Sequence, residues 1–319
     1  MSKYSERQLD FANLRTVRLA ERGGKVKTAD FGSAYQKGAG IAGLLASMPR
    51  MLAGESFRGL LAALEGARSR QRAIIWGMGG HVIKCGLAPV LIDLMRHGFA
   101  TSFAMNGSAA IHDFEIALAG HTSEDVEAAL PGGRFGSAEE TGREMNQAIA
   151  AAVRDGIGMG EGLGRVLDRI APPEHAGFSL LLAAYRHNTP VTVHVAIGTD
   201  TPHTHPAADA AAIGSASHHD FRLLCACVIA LHDGGVYLNT GSAVVMPEVF
   251  LKAVSAARNL GHPLTHFTTA NLDFLQHYRP RVNVVERPHA ESGGKGYAIT
   301  GHHELLLPLL AAALIEKAS

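Results

Sequence analysis

The stretch "AMNGSAAIHDFEIALAG", residues 104–120, runs from an apolar, strand-like segment through a turn of small residues into an apolar helical pattern. His112 and Asp113 stand near the start of that helix. A strand that passes directly into a helix is the repeating unit of α/β proteins. Because ligands bind beyond the carboxyl ends of the strands in open α/β sheets, we expect these two side chains beside a ligand crevice.

Strand-like and helical patterns alternate on both sides of this stretch. Several of the strand-like runs are apolar on both faces, as the strands of a parallel sheet covered by helices must be. The alternation predicts an α/β fold, with a doubly wound, mostly parallel sheet and helices on both faces. The predicted strands are residues 73–78, 99–105, 190–197, 235–239, 264–270 and 282–286, and the predicted helices include residues 87–97, 139–153, 221–231 and 247–260.

Composition and charge restrict the class of partner. The chain of 319 residues has 29 acidic and 29 basic side chains, so no net field attracts nucleic acid or an anionic membrane. We therefore expect a small-molecule partner, with neither nucleic acid nor a membrane. Three cysteines without a CxxC pair, and a start unlike a signal peptide, predict a cytoplasmic protein with free thiols. Residues 1–25 are charged and end at a glycine pair, which predicts an N-terminal arm or helix before a single domain over residues 26–319.

The turns that follow the predicted strands are rich in small residues. They cover residues 77–81, 106–113, 198–205 and 239–248, and three of the four are rich in glycine, serine or alanine. Any one of them is explained as a short strand-to-helix turn, which favours small residues in any case. Several at successive strand ends favour a nucleotide pocket, although the GxGxxG fingerprint is absent.

At these positions the sequence resembles the deoxyhypusine synthase family. The resemblance rests on "GGHVIKCG" and "NGSAAIHDFEIAL" between residues 79 and 118, on "YRHNTPVTVHVAIGTD" at residues 185–200, and on "RPHAESGGKGY" at residues 287–297. It implies a Rossmann-like NAD-binding domain over residues 26–319, NAD as the cofactor, and a homotetramer. It also implies transfer of an aminoalkyl group from an amine or polyamine through an imine on a lysine.

The resemblance implies particular site residues. Catalytic roles fall to Lys295, which would form the imine, to Asp113 as an acid or base, and to His205 near a substrate-binding acid. Cofactor contacts fall to Gly79, Gly80, His81, Asn106, Gly107, Ser108, Asp200, Gly241 and Ser242; no metal ligand is implied.

This chain departs from the family on the substrate side. Residues 246–248 replace a family histidine, and Gly293 or Gly294 replaces a tryptophan before the catalytic lysine. The prediction is therefore an enzyme of this NAD-dependent type that acts on an amine or polyamine, without deoxyhypusine formation itself.

The residues also allow plainer interpretations and two other functions. Lys295 fits a solvated loop lysine as well as an imine-forming one, Asp113 fits a helix N-terminal acid, and His112 fits a core histidine. One alternative function is a metal-dependent hydrolase that uses the histidine pairs at residues 203–205, 218–220 and 302–304. The other is an NAD-binding protein without catalysis.

Overall fold

The computed structural model describes residues 3–317. Residues 1–2 of the predicted arm and residues 318–319 of the predicted domain lie outside the described residues. Residues 3–27 form no helix or strand, and their side chains are exposed. The N-terminal segment is therefore an arm rather than a helix over its described part, while the domain division at residue 26 stays a prediction.

The described residues build one six-stranded parallel sheet, which confirms the predicted fold class. The order across the sheet is 3-2-1-4-5-6, so the chain moves outward in one direction from the first strand and then returns to move outward in the other. This is the Rossmann strand order, with its switch point between the first and fourth strands. The strands are β1 (Ile74–Met78), β2 (Ser102–Asn106), β3 (Val191–His194), β4 (Val236–Thr240), β5 (Thr268–Asp273) and β6 (Lys295–Thr300).

Helices connect the strands and cover both faces of the sheet. The α-helices are α1 (Gly40–Ser47), α2 (Leu52–Ser69), α3 (Gly80–Lys84), α4 (Ala88–Arg96), α5 (Gly107–Ala119), α6 (Val126–Ala129), α7 (Glu139–Arg154), α8 (Met159–Ile170), α9 (Pro173–Ala176), α10 (Leu180–Arg186), α11 (Ala210–Ile229), α12 (Val245–Asn259), α13 (Tyr278–Pro280) and α14 (His303–Ile315). Short 3-10 helices lie at Thr28–Asp30, Leu130–Gly132, Thr201–Thr204 and Arg287–His289, and a π-helix at Arg281–Glu286.

Two apolar cores lie on opposite faces of the sheet because successive strand residues point to opposite sides. Ile74 and Trp76 of β1 pack into a core shared with α2, α4, α5 and α14. Ile75 and Tyr237 pack into the other core with α11 and α12, where the Tyr237 ring stacks on Phe250 at 3.7 Å between centroids. Burial of strands on both faces explains why their sequences read as continuous apolar runs.

The predicted strand at residues 282–286 is wrong. These residues lie in the π-helix, and the edge position beside β5 belongs to β6, whose Lys295 pairs with Thr268. The β-branched run favours a strand locally, but Val282 and Val284 are buried in the helical conformation, so tertiary packing overrides local propensity. The strand predicted at residues 264–270 begins later, because Leu264 and His266 have positive φ angles of 28° and 53°.

Within residues 3–317, no helix combines the length and the apolar character that crossing a lipid bilayer requires.

Candidate functional site

The turns after β1 and β4 meet at the switch point of the sheet. Gly79 N donates to Thr240 O at 3.0 Å, and a Cβ at Gly79 would lie 2.2 Å from Gly241 O. Gly241 has a φ of 64°, and a Cβ there would touch the buried ring of His303. The adjacent Ser242 accepts a hydrogen bond from Met246 N at the start of α12. Contacts within the protein therefore explain these glycines and this serine without a ligand.

The N-terminus of α5 lies beside the loop that follows β3. Asn106 caps the helix by accepting from Ala109 N at 2.9 Å. The Asp200 carboxylate lies against Gly107, where a Cβ would be 1.9 Å from Asp200 Oδ2. Gly80 is close to the same helix, since a Cβ there would lie 2.3 Å from Ser108 Oγ. Five of the predicted cofactor contacts thus come together at the carboxyl ends of β1 and β2.

Asp200 carries a buried carboxylate oxygen that accepts no hydrogen bond from the described residues. Its side chain is only 10% exposed, and Oδ2 has no hydrogen-bond partner within the described protein. Burial raises the pKa of Asp200, while the nearby His203 opposes this rise. A buried carboxylate oxygen without a donor is costly, and a ligand hydroxyl or ammonium group would satisfy it.

A cavity of about 1150 Å³ opens beside α5, and we call it the α5 cavity. Ser108 and Asp200 line it at the N-terminal end of the helix, and several residues between His121 and Ala138 also line it. Its charged lining is mostly acidic, with five carboxylates against two cationic side chains among the described lining residues. The carboxylates are Glu115, Glu124, Glu140, Glu144 and Asp200, and the cations are Lys84 and Arg134.

A hydrogen-bonded chain fixes His112 in the wall of this cavity. Thr122 Oγ1 donates its proton to Glu115 Oε2, and His112 Nδ1 lies 2.7 Å from the same hydroxyl oxygen. Because the hydroxyl proton is already donated, Nδ1 must carry the proton of this bond. The neutral ring therefore keeps an acceptor lone pair on Nε2. Burial, followed by the charge of Lys84, lowers the pKa of His112, which favours this neutral form.

Asp113 points away from the α5 cavity. It is fully buried, and its carboxylate accepts hydrogen bonds from Ser179 Oγ at 2.5 Å, Leu180 N at 2.7 Å and Leu181 N at 3.0 Å. These donors are the cap and first turn of α10, so Asp113 joins α5 to α10. Asp113 therefore fits the interpretation as a helix N-terminal acid, but the helix terminus that it binds is that of α10 and not that of α5, to which it belongs.

The other two predicted catalytic residues also lie away from the α5 cavity. Lys295 begins β6, at the amino edge of the sheet and therefore opposite the carboxyl-end crevice, with its Nζ over the Tyr297 ring at 5.0 Å. His205 Nε2 lies 3.2 Å from Glu139 Oε2 and the ring packs on Gly142. Within one chain, these residues and Asp113 do not form a common site.

The three histidine pairs do not gather into metal sites among residues 3–317. His203 Nδ1 accepts from Gly198 N, whereas His205 turns to Glu139. Asp220 is buried and accepts from Gly160 N and Val193 N. Only Glu304 of these segments joins a cluster of potential ligands, and its partners, His81 and Cys85, come from α3 and its end. His81, predicted as a cofactor contact, belongs to this cluster and is not among the described residues that line the cavity.

Sequence reasoning missed Glu115, Thr122 and Lys84. Glu115 follows His112 by three residues, a spacing that places both on one helix face and could have indicated the pair. Thr122 and Lys84 come from a loop and a different helix, so only the tertiary structure brings them to His112.

Comparisons with known proteins reach the level of the fold. No protein-family profile and no curated protein sequence matches the chain. A solved structure of a conserved protein from Methanococcus maripaludis S2, described as LOR/SDH, is 16% identical with a TM-score of 0.51, covering 83% of this chain and 70% of that one. The ternary complex of AgrE with ornithine and NAD+ is 14% identical with a TM-score of 0.53 over 83% of this chain.

The chain spans about a third of the length of AgrE, since the match covers 33% of that protein. A protein from Entamoeba histolytica described as a deoxyhypusine synthase is 11% identical, covering 90% of this chain and 97% of that one, at a TM-score of 0.49. Likeness at this level of identity shows a shared α/β fold. Membership of the deoxyhypusine synthase family stays a prediction.

Proposed function

We propose that this protein is an NAD-dependent enzyme that oxidises an amine in the α5 cavity. The observation that carries the proposal is the buried Oδ2 of Asp200 in the wall of that cavity, which accepts no hydrogen bond within residues 3–317 and lies 4.0 Å from His203 Nε2. It stands at the carboxyl edge of a sheet with Rossmann strand order, where dinucleotides bind. The shared fold of AgrE, whose complex holds ornithine and NAD+, supports the same cofactor and an amine substrate.

The described residues fit the ribose side of the cofactor. An acidic side chain at this edge accepts hydrogen bonds from ribose hydroxyls and repels the 2′-phosphate of NADP. The position of Asp200 next to the start of α5 supports this role, and Arg134 in the cavity wall offers positive charge to the pyrophosphate. When bound, NAD would accept a hydride from the substrate carbon.

The acidic lining supports a cationic substrate. Five carboxylates around one cavity raise the local concentration of an ammonium ion and disfavour anionic substrates. Before the carbon–hydrogen bond can break, the ammonium group must lose a proton. His112 Nε2 accepts this proton in our proposal, because its ring is held in the neutral tautomer with Nδ1 bonded to Thr122.

Calorimetric titration with NAD and NADP tests the cofactor. We expect NAD to bind more tightly, and Asp200→Asn to weaken NAD binding and reduce the preference over NADP. Asp233→Asn is the matched control, because Asp233 is exposed and pairs with Arg72 outside the α5 cavity. Equal binding of both cofactors to the wild-type protein, or no binding, would contradict the assignment.

Formation of NADH in the presence of short diamines, spermidine and amino acids such as ornithine tests the reaction. Tight NAD binding without turnover of any amine would instead favour an NAD-binding protein without catalysis. Transfer of an aminoalkyl group through an imine on a lysine is a more specific proposal than amine oxidation by NAD. Among the described residues, Lys84 is the lysine that lines the cavity.

A further inference from the structure

The His81 imidazole, the Cys85 thiol and the Glu304 carboxylate form a cluster outside the α5 cavity. Their potential ligand atoms lie within 4.8 Å of one another. Cys85 Sγ is 3.2 Å from His81 Nε2 and 3.9 Å from Glu304 Oε2. His81 and Cys85 are four residues apart at α3, which places them on one face, and Glu304 enters from the first turn of α14.

We propose that these three side chains bind one zinc ion. In a tetrahedral zinc site, bonds of about 2.3 Å to sulfur and about 2.1 Å to nitrogen or oxygen separate the sulfur from each other ligand by about 3.6 Å. The observed separations of 3.2 and 3.9 Å lie on either side of that value, so small rotamer adjustments suffice. Thiolate, imidazole and carboxylate together form a donor set that suits zinc over magnesium or calcium.

Two aromatic rings contact one side of the exposed His81 side chain. The His81 ring packs against His303 at 5.5 Å and Phe274 at 5.9 Å between centroids. His303 is itself fully buried, with Nε2 3.0 Å from Leu272 O. These ring contacts restrict the orientations open to the His81 side chain, while its exposure leaves the site accessible to a metal ion. A zinc ion here would join α3, which follows β1, to α14, which follows β6, and would keep a fourth position open to water.

Proton release is a consequence of this chemistry. A free cysteine thiol has a pKa of about 8.5 and is therefore mostly protonated at neutral pH. Zinc coordination requires the thiolate, and binding therefore releases a proton to the solvent.

The test uses the full chain freed of metal by a chelator. We expect one zinc ion per chain by calorimetry, with heat that depends on the ionisation enthalpy of the buffer. Cobalt should give a thiolate charge-transfer band. Cys85→Ser should abolish the band and weaken zinc binding at least about 100-fold. Loss of a residue that only hydrogen-bonds to a metal ligand already lowers metal affinity by up to about that factor.

Matched controls separate this site from other thiols and histidines. Cys227→Ser and His262→Asn should leave the band and the zinc affinity unchanged, since neither residue belongs to the cluster and His262 is exposed in the turn before β5. Glu304→Gln provides a second ligand variant, and circular dichroism verifies that each variant is folded. No saturable zinc binding, or a cobalt band that survives Cys85→Ser, overturns the proposal. Neither outcome affects the α5 cavity or the NAD assignment.

Discussion

Asp200 and Gly107 are in such close contact that residue 107 must lack a side chain. A Cβ at Gly107 would lie 1.9 Å from Asp200 Oδ2, well inside the separation of nonbonded atoms. Gly107→Ala should therefore displace the carboxylate from the start of α5. We expect NAD affinity to fall about 10-fold or more, since a hydrogen bond to a charged group contributes about 1.5–3 kcal/mol. Calorimetric titration measures the effect.

Gly214→Ala is the control for this substitution. Gly214 lies inside α11, and a Cβ there would meet no atom within 4 Å. Alanine should raise the free energy of unfolding by about 0.5–1 kcal/mol through helix propensity, with NAD affinity unchanged. Unaltered NAD binding in Gly107→Ala would show that Asp200 does not contact the cofactor.

The pH dependence of turnover should report His112. Its pKa lies below the usual 6.5 because of burial and the charge of Lys84. The neutral ring is the active form, so kcat/KM should fall as the pH drops through this lowered value. Lys84→Gln removes the positive charge, raises the pKa of His112, and should shift the acidic limb of the profile to higher pH.

His112→Asn should reduce kcat about 100- to 10,000-fold, the usual range for loss of a general base. Lys252→Gln serves as the charge control, since Lys252 is exposed and pairs with Glu248. We expect no shift in Lys252→Gln, and an acidic limb that does not move in Lys84→Gln would exclude His112 as the titrating base.

Asp113 should prove to be a stability residue. In Asp113→Asn, an amide NH2 replaces one of the oxygens that accept from Ser179, Leu180 and Leu181. We expect a loss of about 2 kcal/mol in the free energy of unfolding, since an unsatisfied buried donor costs about 1–3 kcal/mol. Urea unfolding measures the loss, and NAD affinity of the folded variant should be unchanged.

Burial raises the pKa of Asp113 to about 6, from 3.8. The folded state then binds more protons than the unfolded state between these values, so the contribution of this carboxyl to stability decreases as the pH rises through them. Asp113→Asn has no carboxyl that titrates at this position, so its free energy of unfolding lacks this decrease. The difference in stability between the wild-type protein and the variant should therefore be greatest at acidic pH. A stable variant with weakened amine binding would instead support the substrate role that the sequence predicts.

Borohydride trapping distinguishes two lysines. If turnover passes through an imine on the protein, we expect the reduced adduct on Lys84, which lines the α5 cavity, because Lys295 lies at the opposite edge of the sheet. Peptide mass spectrometry after reaction with NAD and the amine locates the adduct. Lys84→Arg should abolish it and Lys295→Arg should not. An adduct on Lys295 would instead place the lysine of one subunit in the cavity of another.

The N-terminal arm predicts self-association. Leu9, Phe11, Leu14, Val17 and Leu19 are each at least 67% exposed, an unusual density of apolar side chains for a solvated segment. We expect a homo-oligomer, with a tetramer as the predicted state, and deletion of residues 1–25 should lower its molecular mass in light scattering. A monomeric full-length chain at micromolar concentration would contradict this prediction.

The sequence by itself determined the α/β class, because strands buried on both faces must be apolar runs. It also located the strand-to-helix turn at Asn106, where a capping side chain and small residues mark the junction. Such signals depend on residues that are close in sequence, so they do not change with the elements that pack against them. The valine run at residues 282–286 shows the limit, since its burial is compatible with helix or strand and only the placement of β6 decided between them.

Only the tertiary structure decided which ionisable residues share a site. Asp113 and His112 are neighbours in sequence, yet successive helix positions differ by about 100°, so one faces α10 and the other the cavity. Lys295 looked catalytic between its glycines, but the direction of β6 places it at the amino edge. Conversely, His81, Cys85 and Glu304 meet only because β1 and β6 run parallel, which brings the helices that follow them to the same edge.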